Sequence, residues 1–406
     1  MKQAACTIVS LNYLPYARVL CDAFLSHHPG WKFYVLLVDR IPKDIDLSNE
    51  SFELVSVEQL GIPDFLPIAF KYDILELNTN VKPTFMKSIL ASGIDQLIYL
   101  DPDIFVYRKL DSILEAMDDN AIVLTPHVLS PNQEDIQSEV ILLMGGVFNL
   151  GFVGVTRCKE TDRFLSWWET RCLGYGYCDP RKGMFVDQKW VNLVPCLFDS
   201  VKVLKRPGCN MAVWNLHERE LSQENNEWMV NRTSPLEFYH FSGITVDGGE
   251  QLSRRKERFS LANRPDICTI YQDYRALLIQ RGFREFKAIK YAFDYFDNGQ
   301  YVNHLTRALY AANLEKFAGE DPFHKSGRFY AWAKASHFLG DYDSAGTYNS
   351  QTYTKNDFRL RALHWMFRLS LRILGADRYT LLLKYLSYIS ILSNQCNIFN
   401  DTYRVT

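Results

Sequence analysis

With 406 residues, 47% of them hydrophobic, the chain is long enough for a sizeable buried core and for two or three domains. A formal net charge of -2 supplies no global attraction to nucleic acid, and no run reaches the ~18 to 20 apolar residues that a membrane-spanning helix needs. The nine cysteines are scattered and none stands in a CxxC pair, which excludes a zinc site of that type. No secretory leader pattern opens the sequence, so the cysteines are expected to be free thiols in a reducing cytoplasm.

The first ~260 residues alternate two hydrophobic periods. Ala5–Leu11 is a short apolar run suited to a buried parallel strand. Tyr13–His27 has helical spacing at Ala17, Leu20, Cys21 and Phe24, and His28-Pro29-Gly30 stops it. Strands are then expected at Trp31–Val38 and Phe52–Val57, and a helix at Thr79–Ser92 that ends before Gly93. Gln96–Leu100 is a strand running straight into Asp101-Pro102-Asp103, and Ala121–Leu124 is another strand. Leu142–Val155 reads as a glycine-interrupted strand hairpin, Thr161–Leu173 and Phe185–Val194 as helices, Val201–Leu204 and Phe238–Phe241 as late strands. This alternation predicts an α/β layer with a mainly parallel sheet. Strand signals fade after about Gly249. Ile267–Gly282, Phe329–Leu339 and Arg359–Leu374 look helical, which places a boundary near residue 265 and a helical region over 266–406.

Asp101 and Asp103 end a hydrophobic strand, where open parallel sheets bind ligands. Two carboxylates so spaced converge on one hard cation. Mg²⁺ or Mn²⁺ held there would bridge diphosphate oxygens and offset charge on a leaving group, which is the chemistry of sugar transfer from a nucleotide. The bland alternative is a pair of acids facing water.

Other segments sharpen the choice. Ile8-Val9-Ser10-Leu11-Asn12-Tyr13, the helix start at Leu77–Thr84 with Lys82, the Asp101-Pro102-Asp103 motif, Phe148-Asn149-Leu150-Gly151, Phe185-Val186-Asp187-Gln188 and Tyr239-His240-Phe241-Ser242-Gly243 follow one another in a fixed order. Together they resemble the GT-A (Rossmann-like) glycosyltransferases, family eight in particular, over residues 5 to 250. The resemblance implies a nucleotide-sugar-binding domain over 1–265. Asp101, Asp103 and His240 would hold Mn²⁺ or Mg²⁺. Lys82 would neutralise the diphosphate, while Asn149, Asp187 and Gln188 would address the sugar. Val9, Ser10, Asn12, Tyr13, Gly151 and Gly243 would border the donor. A UDP-sugar is the favoured donor, the acceptor is a glycan, glycolipid or glycoprotein, and retention is the favoured outcome, whereas an inverting enzyme would use Asp187 as general base.

The chain departs from that pattern in three places. Ser10 and Leu11 stand where the family's first loop often has acids. Leu150 replaces the serine of FNSG. No Lys-Pro follows Gly243, so Lys82 or the Arg254/Arg255 group would have to supply the phosphate-gripping charge. Between Phe358 and Leu392, arginines alternate with large apolar residues. This segment suits either a helical bundle with snorkelling arginines, which is preferred, or a surface lying on an anionic membrane at the inner face. Asn210-Met211-Ala212-Val213-Trp214-Asn215-Leu216-His217-Glu218-Arg219 has no role assignable from its chemistry. Two other functions remain: a non-catalytic scaffold or carbohydrate-binding subunit, and a sugar nucleotidyltransferase. The second lacks its usual glycine-rich phosphate loop, because Ser10–Arg18 contains no glycine.

Overall fold

Unbroken apolar runs, not alternating ones, build the centre of the protein, because strands covered on both faces have no polar side to show. In the computed structural model, which describes residues 1–254, 258–340 and 358–399, these runs become β1 (Gln3–Val9), β2 (Lys32–Leu37), β3 (Glu53–Ser56) and β4 (Gln96–Leu100). β5 (Ile104–Val106), β6 (Ile122–Pro126), β7 (Phe148–Thr156), β8 (Val201–Val203) and β9 (Met211–Ala212) follow. The last strands are β10 (Leu221–Glu224), β11 (Glu227–Val230), β12 (Ser234–Pro235) and β13 (Phe238–His240).

Seven strands form one sheet in the order β3-β2-β1-β4-β7-β6-β8. β1 is parallel to β2 and β4, β2 to β3, and β6 to β8, whereas β7 runs antiparallel to both its neighbours. The fold is therefore α/β with a mainly parallel sheet. A small sheet, β5-β13-β9, lies beyond the carboxyl end of β4, and β10-β11-β12 make a third. The helix Leu14–His27 buries Ala17, Leu20, Cys21 and Phe24 against one face of the main sheet. Every cysteine is a free thiol.

Three expected elements change form. Thr79–Ser92 is two helices, Ile74–Asn80 and Lys82–Ala91. Pro83 lies in the first turn of the second, where its missing N–H costs nothing, while it cannot continue a helix from upstream. Leu142–Val155 is not a hairpin. Ile136–Gly145 is a helix ended by Gly146 at φ 127°, and β7 is a single strand after it. Phe185–Val194 shrinks to Gln188–Val191, with Asp187 at its N-cap.

The chain divides into two compact units, Met1–Pro63 with Ile74–Tyr291, and Asp64–Asp73 with Ala292–Thr406. The helices Cys268–Gln280 and Phe283–Lys287 pack within the first unit through Ile270, Tyr271, Tyr274, Leu278 and Phe283, so the division falls later than residue 265. Among the described residues the second unit is helical. Phe70 sits at the centre of an aromatic cluster with Phe296, Tyr310, Phe323 and Phe329. Phe358–Ile389 is helical with a break at Gly375, and none of its residues is buried. Among the described residues no helix is long and apolar enough to cross a membrane.

Within that second unit, buried Arg307 serves several partners at once. Its guanidinium donates to the carbonyls of Phe70 (2.9 Å), Tyr72 (2.6 Å) and Phe293 (2.8 Å) and to Asp294 (2.7 Å). Replacing it leaves these acceptors unsatisfied and the Asp294 carboxylate without its counter-charge. Arg307→Met should therefore destabilise the unit by about 3–5 kcal/mol. Hydrogen exchange would show faster amide exchange over residues 64–73, and unchanged protection there would refute the assignment.

Candidate active site

The site begins where β4 runs out. Asp101 donates its backbone N–H to the carbonyl of Gly151 on β7 (2.7 Å), and Tyr99 donates its hydroxyl to Asp101 Oδ1 (2.7 Å). Asp103 then leads into β5, whose antiparallel partner β13 places His240 opposite Ile104. The Phe241 N–H closes the register on the Asp103 carbonyl at 2.8 Å. As a result His240 Nε2 lies 3.0 Å from Asp103 Oδ1 and 3.9 Å from Asp101 Oδ2. One ligand atom from each of the three residues falls within 4.8 Å of the others. Burial pushes the Asp103 carboxyl up, but His240 beside it and the Gly243 N–H outweigh this and hold it below the usual range.

Beneath this trio lies an ion pair. Lys82, 1% exposed, directs its ammonium to Asp187 Oδ2 (2.6 Å) and to the Leu150 carbonyl (2.8 Å), with Asp101 Oδ1 at 3.9 Å. The Tyr99 ring lies 4.2 Å away and supports the cation further. Burial opposes the charge on Lys82, but Asp187 and Asp101 more than compensate and hold its pKa above the ordinary lysine range. Burial raises Asp187, and Lys82 offsets only part of that rise. The 2.6 Å contact joins the two as a buried ion pair. The Lys82 ammonium meets two of the three carboxylates, Asp187 and Asp101, while Asp103 and Asp101 both border the His240 imidazole. That set fits a divalent cation.

The remaining sequence-derived residues divide into those at the site and those with structural roles. Gln188 clamps two backbones, donating to the Gly145 carbonyl (3.0 Å) and accepting from the Leu150 N–H (3.2 Å). Asn149 turns to His240, at 3.1 Å from Nδ1. Gly151 leaves the room they occupy, since a Cβ there would lie 2.5 Å from His240 Cε1. Gly243 has φ +67°, and an added Cβ would meet Ser253 Oγ at 2.8 Å. Val9 is buried, and its carbonyl holds the Val38 N–H. Ser10 donates its hydroxyl to Asn12 Oδ1 at 2.6 Å, so Asn12 shapes the turn. Burial and the nearby Asp103 carboxylate raise the Tyr13 phenol, against Arg254, whose Nη2 donates to the Tyr13 hydroxyl at 2.9 Å.

One acid escaped the sequence reading. Asp39 is buried at the end of β2, where its carboxylate accepts the Leu11 N–H (3.2 Å) and the Arg40 N–H (2.9 Å). It stands beside the turn that lacks acids of its own. The signal was available, because Asp39 closes the second apolar run as Asp101 closes the fourth. In dinucleotide folds an acid at the end of the second strand meets a ribose.

No family model matches the chain. It is 26% identical over 285 residues to the uncharacterised protein YfnF of Bacillus subtilis, covering 69% of this chain and 94% of that protein. Among solved structures it is similar to the galactosyltransferase LgtC in complex with donor and acceptor sugar analogs, with 15% identity, a TM-score of 0.41, and 68% of this chain and 95% of that one covered. It is also similar to the glycosyltransferase GlyE of Streptococcus pneumoniae, with 13% identity, a TM-score of 0.40, and 73% and 67% covered.

Removing the ammonium alone isolates a carboxylate in the core. Lys82→Met should lower stability by about 3–5 kcal/mol, and the double variant Lys82→Met/Asp187→Leu should recover most of it, because a paired apolar replacement leaves no orphan charge. Thermal melts of the wild type, Lys82→Met, Asp187→Leu and the double variant give the coupling directly. Additive losses would show that the pair is not an energetic unit.

Proposed function

We propose that the first unit is a metal-dependent glycosyltransferase of GT-A type, moving a sugar from a nucleotide diphosphate sugar, a UDP-sugar by preference, to a glycan, glycolipid or glycoprotein acceptor. The observation that carries this reading is the convergence of Asp101, Asp103 and His240 beyond the carboxyl end of β4, above the buried Lys82–Asp187 pair. When bound, Mn²⁺ or Mg²⁺ would offset the charge that develops on the departing diphosphate.

The chain's own residues then take distinct parts. Asp39 and Tyr13, with the Ser10–Asn12 turn, border the nucleoside. Arg254 supplies the positive charge for the diphosphate, since it reaches Tyr13 at the mouth of the site whereas the Lys82 ammonium is committed to Asp187. Asp187 and Gln188 face the sugar from the inner side. Asp187 Oδ2 already accepts from Lys82 at 2.6 Å and the residue is buried, which disfavours it as a base reaching an acceptor hydroxyl. Retention, with the leaving phosphate helping to deprotonate the acceptor, is the outcome this favours.

The test is a panel of nucleotide sugars incubated with the protein and Mn²⁺, scored for released nucleoside diphosphate. One donor should give a signal that EDTA removes and that Asp103→Asn reduces by about a hundredfold or more. A folded protein that neither hydrolyses any donor nor binds uridine, guanosine or thymidine diphosphate would instead be a scaffold. Arg254→Gln should weaken nucleoside diphosphate binding about tenfold to a hundredfold and leave nucleoside binding nearly unchanged. Equal losses for both ligands would remove Arg254 from the phosphate site.

A further inference from the structure

We infer that Asn149 is a positioning residue for the metal site, holding the His240 ring so that its Nε2 lone pair faces the cation. The inference rests on the metal-dependent reading of the same site, and it gives Asn149 a part other than the sugar contact its segment suggested.

The argument starts from β7. Side chains two apart on a strand share a face, so Asn149 and Gly151 both look toward β13. Residue 151 has no side chain, and the His240 ring fills that space. A Cβ at 151 would lie 2.5 Å from His240 Cε1, 2.7 Å from its Nδ1 and 2.8 Å from Asn149 Oδ1. The glycine, the imidazole and the amide are thus packed as one unit.

Chemistry fixes which ring nitrogen does what. Asn149 Oδ1 lies 3.1 Å from His240 Nδ1, and an amide oxygen only accepts. Nδ1 must therefore carry the proton, and in the neutral ring the lone pair falls on Nε2. Nε2 is the atom facing Asp103 at 3.0 Å and Asp101 at 3.9 Å. The other end of the amide meets a second imidazole, Asn149 Nδ2 lying 3.4 Å from His127 Nε2, where the NH₂ donates to a lone pair on that nitrogen. Trp214 lies edge-on to both imidazoles, with ring centroids 5.1 Å from His240 and 5.3 Å from His127, and limits their tilt. The segment around Trp214, without a function in the sequence, becomes the wall of this support. Outer-shell partners of this kind change metal affinity about tenfold to a hundredfold.

The test uses the full chain without nucleotide. Mn²⁺ binding is followed by the electron paramagnetic resonance of the free ion. Asn149→Ala should bind Mn²⁺ about ten to a hundred times more weakly, and Asn149→Asp, which keeps an oxygen acceptor, should restore binding toward the wild-type value. If the wild type binds and Asn149→Ala binds equally well, the inference falls while the metal site stands. If the folded wild type binds neither Mn²⁺ nor Mg²⁺, the metal-dependent reading itself falls. Nitrogen-15 spectra of the imidazoles in the Mg²⁺-loaded wild type need no folded variant at position 149. With the His240 signal assigned through His240→Gln, a protonated Nδ1 is expected, and a protonated Nε2 would overturn the inference.

Discussion

Everything at the candidate site depends on the short antiparallel pairing of β5 with β13. Its register sets His240 against Ile104, immediately after Asp103, and so brings an imidazole to two carboxylates that are distant in the chain. Side chains alternate faces along a strand, so a slip of one residue would turn His240 away from the trio and Tyr239 toward it. The backbone bond from Phe241 to Asp103 and the parallel pairing of β13 with β9 hold that register from both sides. The main sheet contributes the other half by ending β4 at Asp101 and tying that residue to Gly151 on β7.

Charge then limits what the site can hold. Lys82 and Asp187 neutralise each other in the interior, where either alone would be costly to keep ionised. The Asp101 and Asp103 carboxylates then share the His240 imidazole, with the Lys82 ammonium no nearer to Asp101 than 3.9 Å. The buried pair fixes Leu150 as well, through the carbonyl that takes a Lys82 proton. Asn149 and Gly151 flank that residue, so the ion pair also anchors the strand segment that carries the support for His240.

The parts of this arrangement that depend on local pattern were legible in the sequence. The apolar run ending in Asp101-Pro102-Asp103, the α/β alternation and the Tyr239–Gly243 segment all signal through neighbours in the chain. What escaped depends on partners far away. Lys82 reads as a phosphate-binding cation, and its bond to Asp187, 105 residues away, is invisible before the fold. Asn149 reads as a sugar contact, and its contact with His240, 91 residues away, is likewise set by the fold. Leu142–Gly145 reads as the start of a hairpin because its exposed apolar residues mimic a strand, whereas it is the last turn of the helix Ile136–Gly145, ended by Gly146 at positive φ. Asp39 could have been found, since it closes an apolar run, but its value appears only beside Leu11.

The short excursion Asp64–Asp73 has a consequence for how the chain matures. Its carbonyls at Phe70 and Tyr72 are satisfied by Arg307, and Phe70 is buried among rings that lie after residue 292. Translation proceeds at about 5–20 residues per second. The excursion therefore leaves the ribosome tens of seconds before its partners exist. During that interval the sheet on either side is being completed while an apolar decapeptide waits uncovered. A chain cut short after Tyr291 would keep that condition permanently, so the newborn protein depends on its last third to cover a segment made long before it.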